Sequence, residues 1–531
     1  MLRKLRIAFA AICFTLVTLL FLDFTGTLHH WFGWLANIQF FPALLALNAG
    51  VVIALIVLTL LFGRIYCSVI CPLGVFQDGI SWTAGKLRKK NRFRYSPALN
   101  GLRYGVLALF IFALLAGGLI GTSMLVSLLE PYSAYGRIAS NLLAPLYQWG
   151  NNAFAYFAER ADSYAFYSVD VWIRSITTFV IATVTLVVVV VLSWRSGRTY
   201  CNTICPVGTI LGFLSRFSLW KPVFDNEKCN RCGRCARNCK ASCIDSKNRT
   251  IDYSRCVTCM NCINTCDKDA IHYRLVRKQP LSAQQATPVP ATETGKVSAT
   301  GIKSPETHSA PPITNTHSAD SKIQGDNSRR SFLSVTALFA VTTAIKAQEK
   351  KVDGGLAVIQ QKKIPTRAQY ITPPGSKSIR NLNRRCTACQ LCVSVCPNQV
   401  LQPSGDLTRL MQPEMTYQRG FCRPECNRCS EVCPAGAIQK LDLAEKSSTQ
   451  IGRAVWIKEN CIANNEDVRC RSCARHCPAG AIQMVPKSAD DPESTPIPVV
   501  NTERCIGCGA CEHYCPARPF SAIYVEGNTQ H

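Results

Sequence analysis

The chain has 531 residues, 48% of them hydrophobic, with 30 cysteines and a formal net charge of +26. That length leaves room for several domains. The basic excess suggests nucleic acid at first sight, but no recognition helix or aromatic–basic motif occurs and much of the excess flanks apolar stretches, so nucleic-acid binding is set aside.

In chain order, four apolar stretches come first, each near the roughly 20 residues that a bilayer-crossing helix needs. They run from Ile7 to Leu28 (interrupted at Asp23), Phe40 to Phe62, Tyr104 to Leu129 and Ile173 to Trp194. A cleaved signal is the other reading of the first. No small-residue cleavage site follows it and three more stretches do, so an anchor is expected. Arg3, Lys4 and Arg6 precede stretch one; Lys86, Arg88, Lys89, Lys90, Arg92 and Arg94 lie between two and three; Arg195 and Arg198 follow four. The other two loops are poor in Lys and Arg, so both ends of this unit, residues 1–220, are expected in the cytoplasm. The aromatic-rich loop from Glu130 to Trp172 is expected along the outer interface.

Stretches two and four end alike. Gly63-Arg64-Ile65-Tyr66-Cys67-x3-Cys71-Pro72-Leu73-Gly74 is matched by Gly197-Arg198-Thr199-Tyr200-Cys201-x3-Cys205-Pro206-Val207-Gly208. Cysteines four apart share one face of a continuing helix, so two such faces could gather four thiols around a metal or cluster, or form redox-active thiol pairs. The plainer alternative, that Cys-Pro only ends each helix, explains a repeated ten-residue pattern poorly.

Two four-cysteine motifs follow within residues 221–278: Cys229, Cys232, Cys235, Cys239, then Cys256, Cys259, Cys262, Cys266. Residues 279–327 lack Cys and aromatic residues and are rich in Pro, Ser, Thr, Ala and Gln. Such a segment cannot bury enough surface to fold; its 49 residues make a tether, spanning roughly 40 Å as a flexible coil. In residues 328–347, Ser328-Arg329-Arg330-Ser331-Phe332-Leu333-Ser334 precedes an apolar run to Ala347. Arg329 and Arg330 read as a twin-arginine export signal; a fifth membrane helix is the alternative. Either sends residues 380–531 outward. There lie four more motifs: Cys386, Cys389, Cys392, Cys396; Cys422, Cys426, Cys429, Cys433; Cys461, Cys470, Cys473, Cys477; and Cys505, Cys508, Cys511, Cys515.

This spacing is that of bacterial [4Fe–4S] ligation, in which three thiolates in a tight loop hold one cubane and the fourth serves its neighbour. Zinc wants two cysteine pairs across a spacer, and cysteines so close in sequence pair poorly as disulfides. Six [4Fe–4S] clusters are therefore expected, and their charge removes roughly 12 from the formal total. Near the first motif pair Cys239 and Cys243 compete for one remote position, while Cys13 reads as a buried small hydrophobe.

Residues 1–275 resemble the NapH and MauN membrane ferredoxins, and residues 328–531 the exported NapG and MauM ferredoxins. The resemblance covers nearly everything but the linker and suggests a fusion of the two. It implies a bacterial inner-membrane, multi-pass protein in contact with lipid and the quinone pool, which oxidises quinol and feeds a periplasmic cytochrome or reductase. Cys67, Cys71, Cys201 and Cys205 would then mark the redox or quinol-proximal motif. It also implies that in the exported part the first motif shares ligands with the fourth and the second with the third, pairing Cys386/389/392 with Cys515. The chain departs from the simplest ferredoxin pattern after Cys239 and Cys266, where Pro is absent.

The other reading is a maturation factor supplying electrons to build or repair a metalloenzyme, as CcoG-like proteins do; that family lacks the exported module. No nucleophile–base motif, nucleotide loop or haem-attachment motif occurs. The fold expected is an α-helical membrane unit, four spans plus a signal or anchor helix, carrying ferredoxin-like α+β modules. Short strands are expected at Ala437–Gln439 and Ala481–Gln483.

Overall fold

Helix ends here are set by single polar or small residues interrupting long apolar runs. In the computed structural model, α1 (Leu2–Leu22) stops where Asp23 turns the chain back. The Asp23 carboxylate accepts the backbone N–H groups of Thr25, Gly26 and Leu28, each at 2.9 Å, so Asp23 terminates the helix and does not merely interrupt it. The structure describes residues 2–87, 93–116, 122–163, 166–276 and 360–531. The tether and the Arg329-Arg330 signal lie outside the described residues.

The second apolar stretch yields α2 (Ala49–Phe62), followed by α3 (Tyr66–Val69) and α4 (Pro72–Leu87). The third gives α5 (Asn100–Leu115) and α6 (Thr122–Leu129), the next segment α7 (Pro131–Ile138), a π-helical stretch and α8 (Ala144–Arg160). The fourth gives α9 (Ile176–Ser196), then α10 (Thr199–Thr203) and α11 (Pro206–Ser215). Two of these, α1 and α9, are long and apolar enough to cross a membrane, while α2 and α5 are apolar but shorter. Val180, Val184, Val187 and Val191 of α9 are each about half exposed. An apolar outer face of this kind suits lipid better than water.

α2 and α9 end at Gly63 (φ 73°) and Gly197 (φ 71°), a backbone region that L side chains rarely enter. The space is also taken: a Cβ at Gly63 would stand 2.8 Å from Thr258 Oγ1, and one at Gly197 would overlap Lys240 O.

The cysteine-rich parts are built from two-stranded antiparallel sheets. In the inner module β1 (Trp220–Phe224) pairs with β4 (Ile271–Leu275), and β2 (Ile244–Asp245) with β3 (Thr250–Ile251). In the outer module β5 (Leu401–Pro403) pairs with β6 (Pro413–Met415), β7 (Gly452–Trp456) with β10 (Ile523–Gly527), and β8 (Ile482–Pro486) with β9 (Pro496–Val500). Ala437–Gln439 is not a strand: Gln439 N–H is taken by Gly375 O at 2.8 Å, which packs that segment against the loop preceding the first outer motif.

Met1–Arg277 and Lys362–His531 fold as one unit. The inner module meets the C-terminal end of α2, where Thr258 Oγ1 and Tyr273 Oη donate to Phe62 O (3.3 and 3.0 Å). It meets the end of α9 through Arg198 N–H to Lys240 O (2.9 Å). The outer module meets the opposite ends. Trp172 Nε1, just before α9, donates to Gln399 Oε1 (2.8 Å), and Arg428 lies 3.3 Å from the Cβ position of Gly26, just past α1. Gly136 of α7 packs on the backbone of Cys389, where any Cβ would overlap. One buried core runs from Phe21, Tyr66 and Tyr135 of the helices into Leu391, Tyr417 and Val525 of the outer module.

Candidate metal centres

Tight loops and short helical turns place the ferredoxin cysteines. Cys229, Cys232, Cys235 and Cys266 line one cavity of the inner module. Cys239, Cys243, Cys256, Cys259 and Cys262 line a second. Each set is three cysteines of one motif with the last cysteine of the other, the cross-ligated arrangement of a two-cubane fold. Both competitors for the remote position, Cys239 and Cys243, reach the second cavity, their sulfurs 3.5 Å apart. Hydrogen bonding with the Cys243 thiol, against the effect of burial and with backbone N–H groups nearby, lowers the Cys239 thiol from its ordinary value.

In the outer module the grouping differs from the one the resemblance implies. Cys396 shares a cavity with Cys422, Cys426 and Cys429. Cys433 is the remote thiol acting on Cys386, Cys389 and Cys392. Likewise Cys515 lines a cavity with Cys461, Cys470 and Cys473, and Cys477 is the thiol facing Cys508. The first motif therefore pairs with the second, and the third with the fourth. The cause is local: the hairpins β5–β6 and β8–β9 fold consecutive motifs onto each other. Backbone N–H groups point at these sulfurs, from Ile438 to Cys433 (3.4 Å), Ala481 to Cys477 (3.3 Å) and Ala522 to Cys515 (3.3 Å). Sets of four thiols (five in the second inner one), with N–H donors at sulfur, fit [4Fe–4S] cubanes. The described residues hold no group of three or more His, Cys, Asp or Glu close enough for a single metal ion.

The repeats make a further thiol group. Cys67, Cys71, Cys201 and Cys205 are each no more than 4% exposed and act electrostatically on one another. Cys-Pro does not simply close a helix here: Cys205 caps α11, with Pro206 in the first turn where no N–H is missed. The arginines cross over between repeats. Arg64 Nη2 donates to Cys201 O (3.2 Å), and Arg198 Nη1 to Cys67 O (2.5 Å). Gln77 Nε2 reaches Cys201 Sγ at 3.2 Å. Asp78 binds Arg198 (2.8 Å), Arg6 (3.1 Å) and Lys240 (3.4 Å). Burial opposes ionisation of Asp78, but these cations outweigh it and hold the carboxyl well below the usual range. Motif reading missed Gln77, Asp78 and Arg137; Asp78 is the first acid after the first repeat, and nothing else in its local sequence marks it.

A family described as a 4Fe-4S binding domain matches residues 45–91 and again 177–223, and a 4Fe-4S dicluster domain matches residues 468–518. The methylamine utilization ferredoxin-type protein MauM of Paracoccus denitrificans (strain Pd 1222) is 31% identical over 34% of this chain and 83% of its own length. The chain belongs to the MauM ferredoxin-type family. This ferredoxin-type chain is also 28% identical to the ferredoxin-type protein NapH of Escherichia coli (strain K12), over 43% of this chain and 67% of NapH. It is 27% identical to YccM of the same organism over 42% of this chain, and spans only 55% of YccM's length. No solved structure matches.

Proposed function

We propose that the chain is an iron–sulfur electron-transfer protein of the bacterial cytoplasmic membrane, combining NapH-like and NapG-like parts, which oxidises quinol and passes electrons to a periplasmic acceptor. The observation carrying this reading is the placement of two cysteine modules at opposite ends of one set of apolar helices within a single unit. Four crossings are supported by α1, α2, α5 and α9, each of which carries exposed apolar side chains such as Ile12, Ile53, Phe112 and Val184. Lys and Arg near the inner ends favour a cytoplasmic inner module, and Arg329-Arg330 favours export of the outer one.

Six [4Fe–4S] clusters, when bound, supply one-electron carriers at thiolate sites. The chain's own residues set their surroundings. Buried loops exclude water, and N–H groups at Cys433, Cys477 and Cys515 stabilise negative sulfur. Arg137, fully buried on α7, donates to Ala388 O (3.5 Å) beside Cys389 and puts positive charge at the contact with the helices.

The test is anaerobic EPR of the detergent-solubilised protein, with iron and acid-labile sulfide measured, before and after a menaquinol analogue. Cluster reduction in the parent, lost in Cys67→Ser/Cys71→Ser with the ferredoxin clusters still loaded, is the expected result. If quinol leaves every cluster oxidised while a flavodoxin reduces the inner pair, the reading fails and a maturation role takes its place.

A further inference from the structure

The matched family treats residues 45–91 and 177–223 as two binding domains, but each copy contains only two cysteines. Two thiols cannot complete an iron–sulfur centre, which takes four. We infer that the two repeats are halves of one site, and that Cys67, Cys71, Cys201 and Cys205 jointly hold a seventh iron–sulfur centre inside the helical part, between the inner and outer modules.

Charge is the first argument. Arg64 and Arg198 are both fully buried. Arg198 has the Asp78 carboxylate at 2.8 Å. Among the described residues Arg64 has no carboxylate partner: its bonds go to Asn202 Oδ1, Ser254 O, Cys201 O and Cys67 Sγ. A buried cation among neutral groups is expensive and calls for an anion. Four thiolates on iron provide one, with a net charge of about −2 beside Arg64.

Donor geometry is the second. Gln77 Nε2 lies 3.2 Å from Cys201 Sγ, Gly208 N–H 3.3 Å from Cys205 Sγ, and Arg64 Nη2 3.8 Å from Cys67 Sγ. This repeats the N–H-to-sulfur pattern at the ferredoxin cysteines. All four thiols are unpaired, and no single-ion site forms among the described residues. Four buried thiols that act on one another, with N–H donors at sulfur, make the ligand set of an iron–sulfur cluster, and none of them is in a disulfide.

Position is the third. On the inner side Arg64 Nη1 holds Ser254 O (3.1 Å), two residues before Cys256. On the outer side Tyr200 Oη reaches Leu129 O (3.4 Å). From there Glu130 opens α7, and Gly136, six residues and roughly 9 Å of helix further, rests on Cys389. The site is thus bracketed by the second inner cysteine set and the first outer one. This inference does not depend on quinol as the donor. Failure of quinol to reduce the clusters would leave the iron count unchanged.

The experiment is iron, zinc and acid-labile sulfide analysis of the anaerobically purified full chain and three variants. These are Cys67→Ser/Cys71→Ser, Cys201→Ser/Cys205→Ser and all four together, with ferredoxin-cluster EPR as the control for folding. The shared site predicts that each pair variant loses about two to four iron atoms per chain, and that the quadruple variant loses no more than either pair. Losses that add, no loss of iron, or zinc lost instead would each overturn it. If the variants do not fold, the unaltered chain decides: iron above the roughly 24 atoms that six cubanes hold supports the centre, and a total at that number overturns it.

Discussion

Asp78 is one carboxylate answering three cations, from α1, from the second repeat and from the inner module. Its neutral isostere would strand Arg198, Arg6 and Lys240 in buried surroundings. Asp78→Asn is expected to destabilise the protein by about 3–5 kcal/mol, read as a lower melting temperature and loss of iron on warming. Because the folded carboxyl is held below its usual range, its contribution is fully present above the unfolded value of about 4 and is lost only as pH falls below that. The Asp78→Asn deficit should therefore be constant from pH 5 to pH 8 and shrink only in strong acid. Cys243 makes a second residue-level case. Its sulfur lies 3.5 Å from that of Cys239; with Cys239 on iron the Cys243 thiol is the donor, and hydrogen bonds to ligand sulfur are among the determinants of cluster potential. Cys243→Ala should keep the second inner cluster and lower its reduction potential, as an EPR-monitored redox titration would show; loss of that cluster would instead make Cys243 the ligand.

Among the elements, α7 carries one of the contacts between the helices and the outer module. All of its residues are buried, and its glycine faces a cysteine backbone. Gly136→Val overpacks that contact, at a cost of about 1–3 kcal/mol. Faster hydrogen exchange over residues 386–396 is expected, with the outer clusters still loaded. The apolar stretches, the doubled repeat and every cysteine run were legible in the sequence, because hydropathy and short-range spacing carry them. The α7 contact was not: Glu130–Trp172 reads only as an aromatic loop, since nothing local says that Gly136 meets a residue some 250 positions away. The motif pairing was misread for a related reason, as hairpin length decides which motifs meet and the motifs themselves do not encode it.

At the scale of the whole molecule, stability and metal content are linked. Burial pushes the Cys389, Cys473 and Cys508 thiols up to about 12, so without iron they hold their protons at neutral pH. Cluster assembly must displace those protons, and iron affinity should rise with pH. A chelator is expected to strip iron faster at pH 6 than at pH 8, with the outer module losing protease resistance in step. With only two-stranded sheets around each thiol set, the clusters supply much of what a larger apolar core would.

Where Gly136 meets Cys389, an encounter becomes a standing neighbourhood. Two redox modules joined only by a long string would meet at a frequency set by the string's length and the viscosity of the medium. Modules seated on one core keep a separation that neither the string's length nor the viscosity sets. Residues could be added to or removed from the connecting segment, or glycerol added to the buffer, and the contact of the helices with the outer module would stay the same.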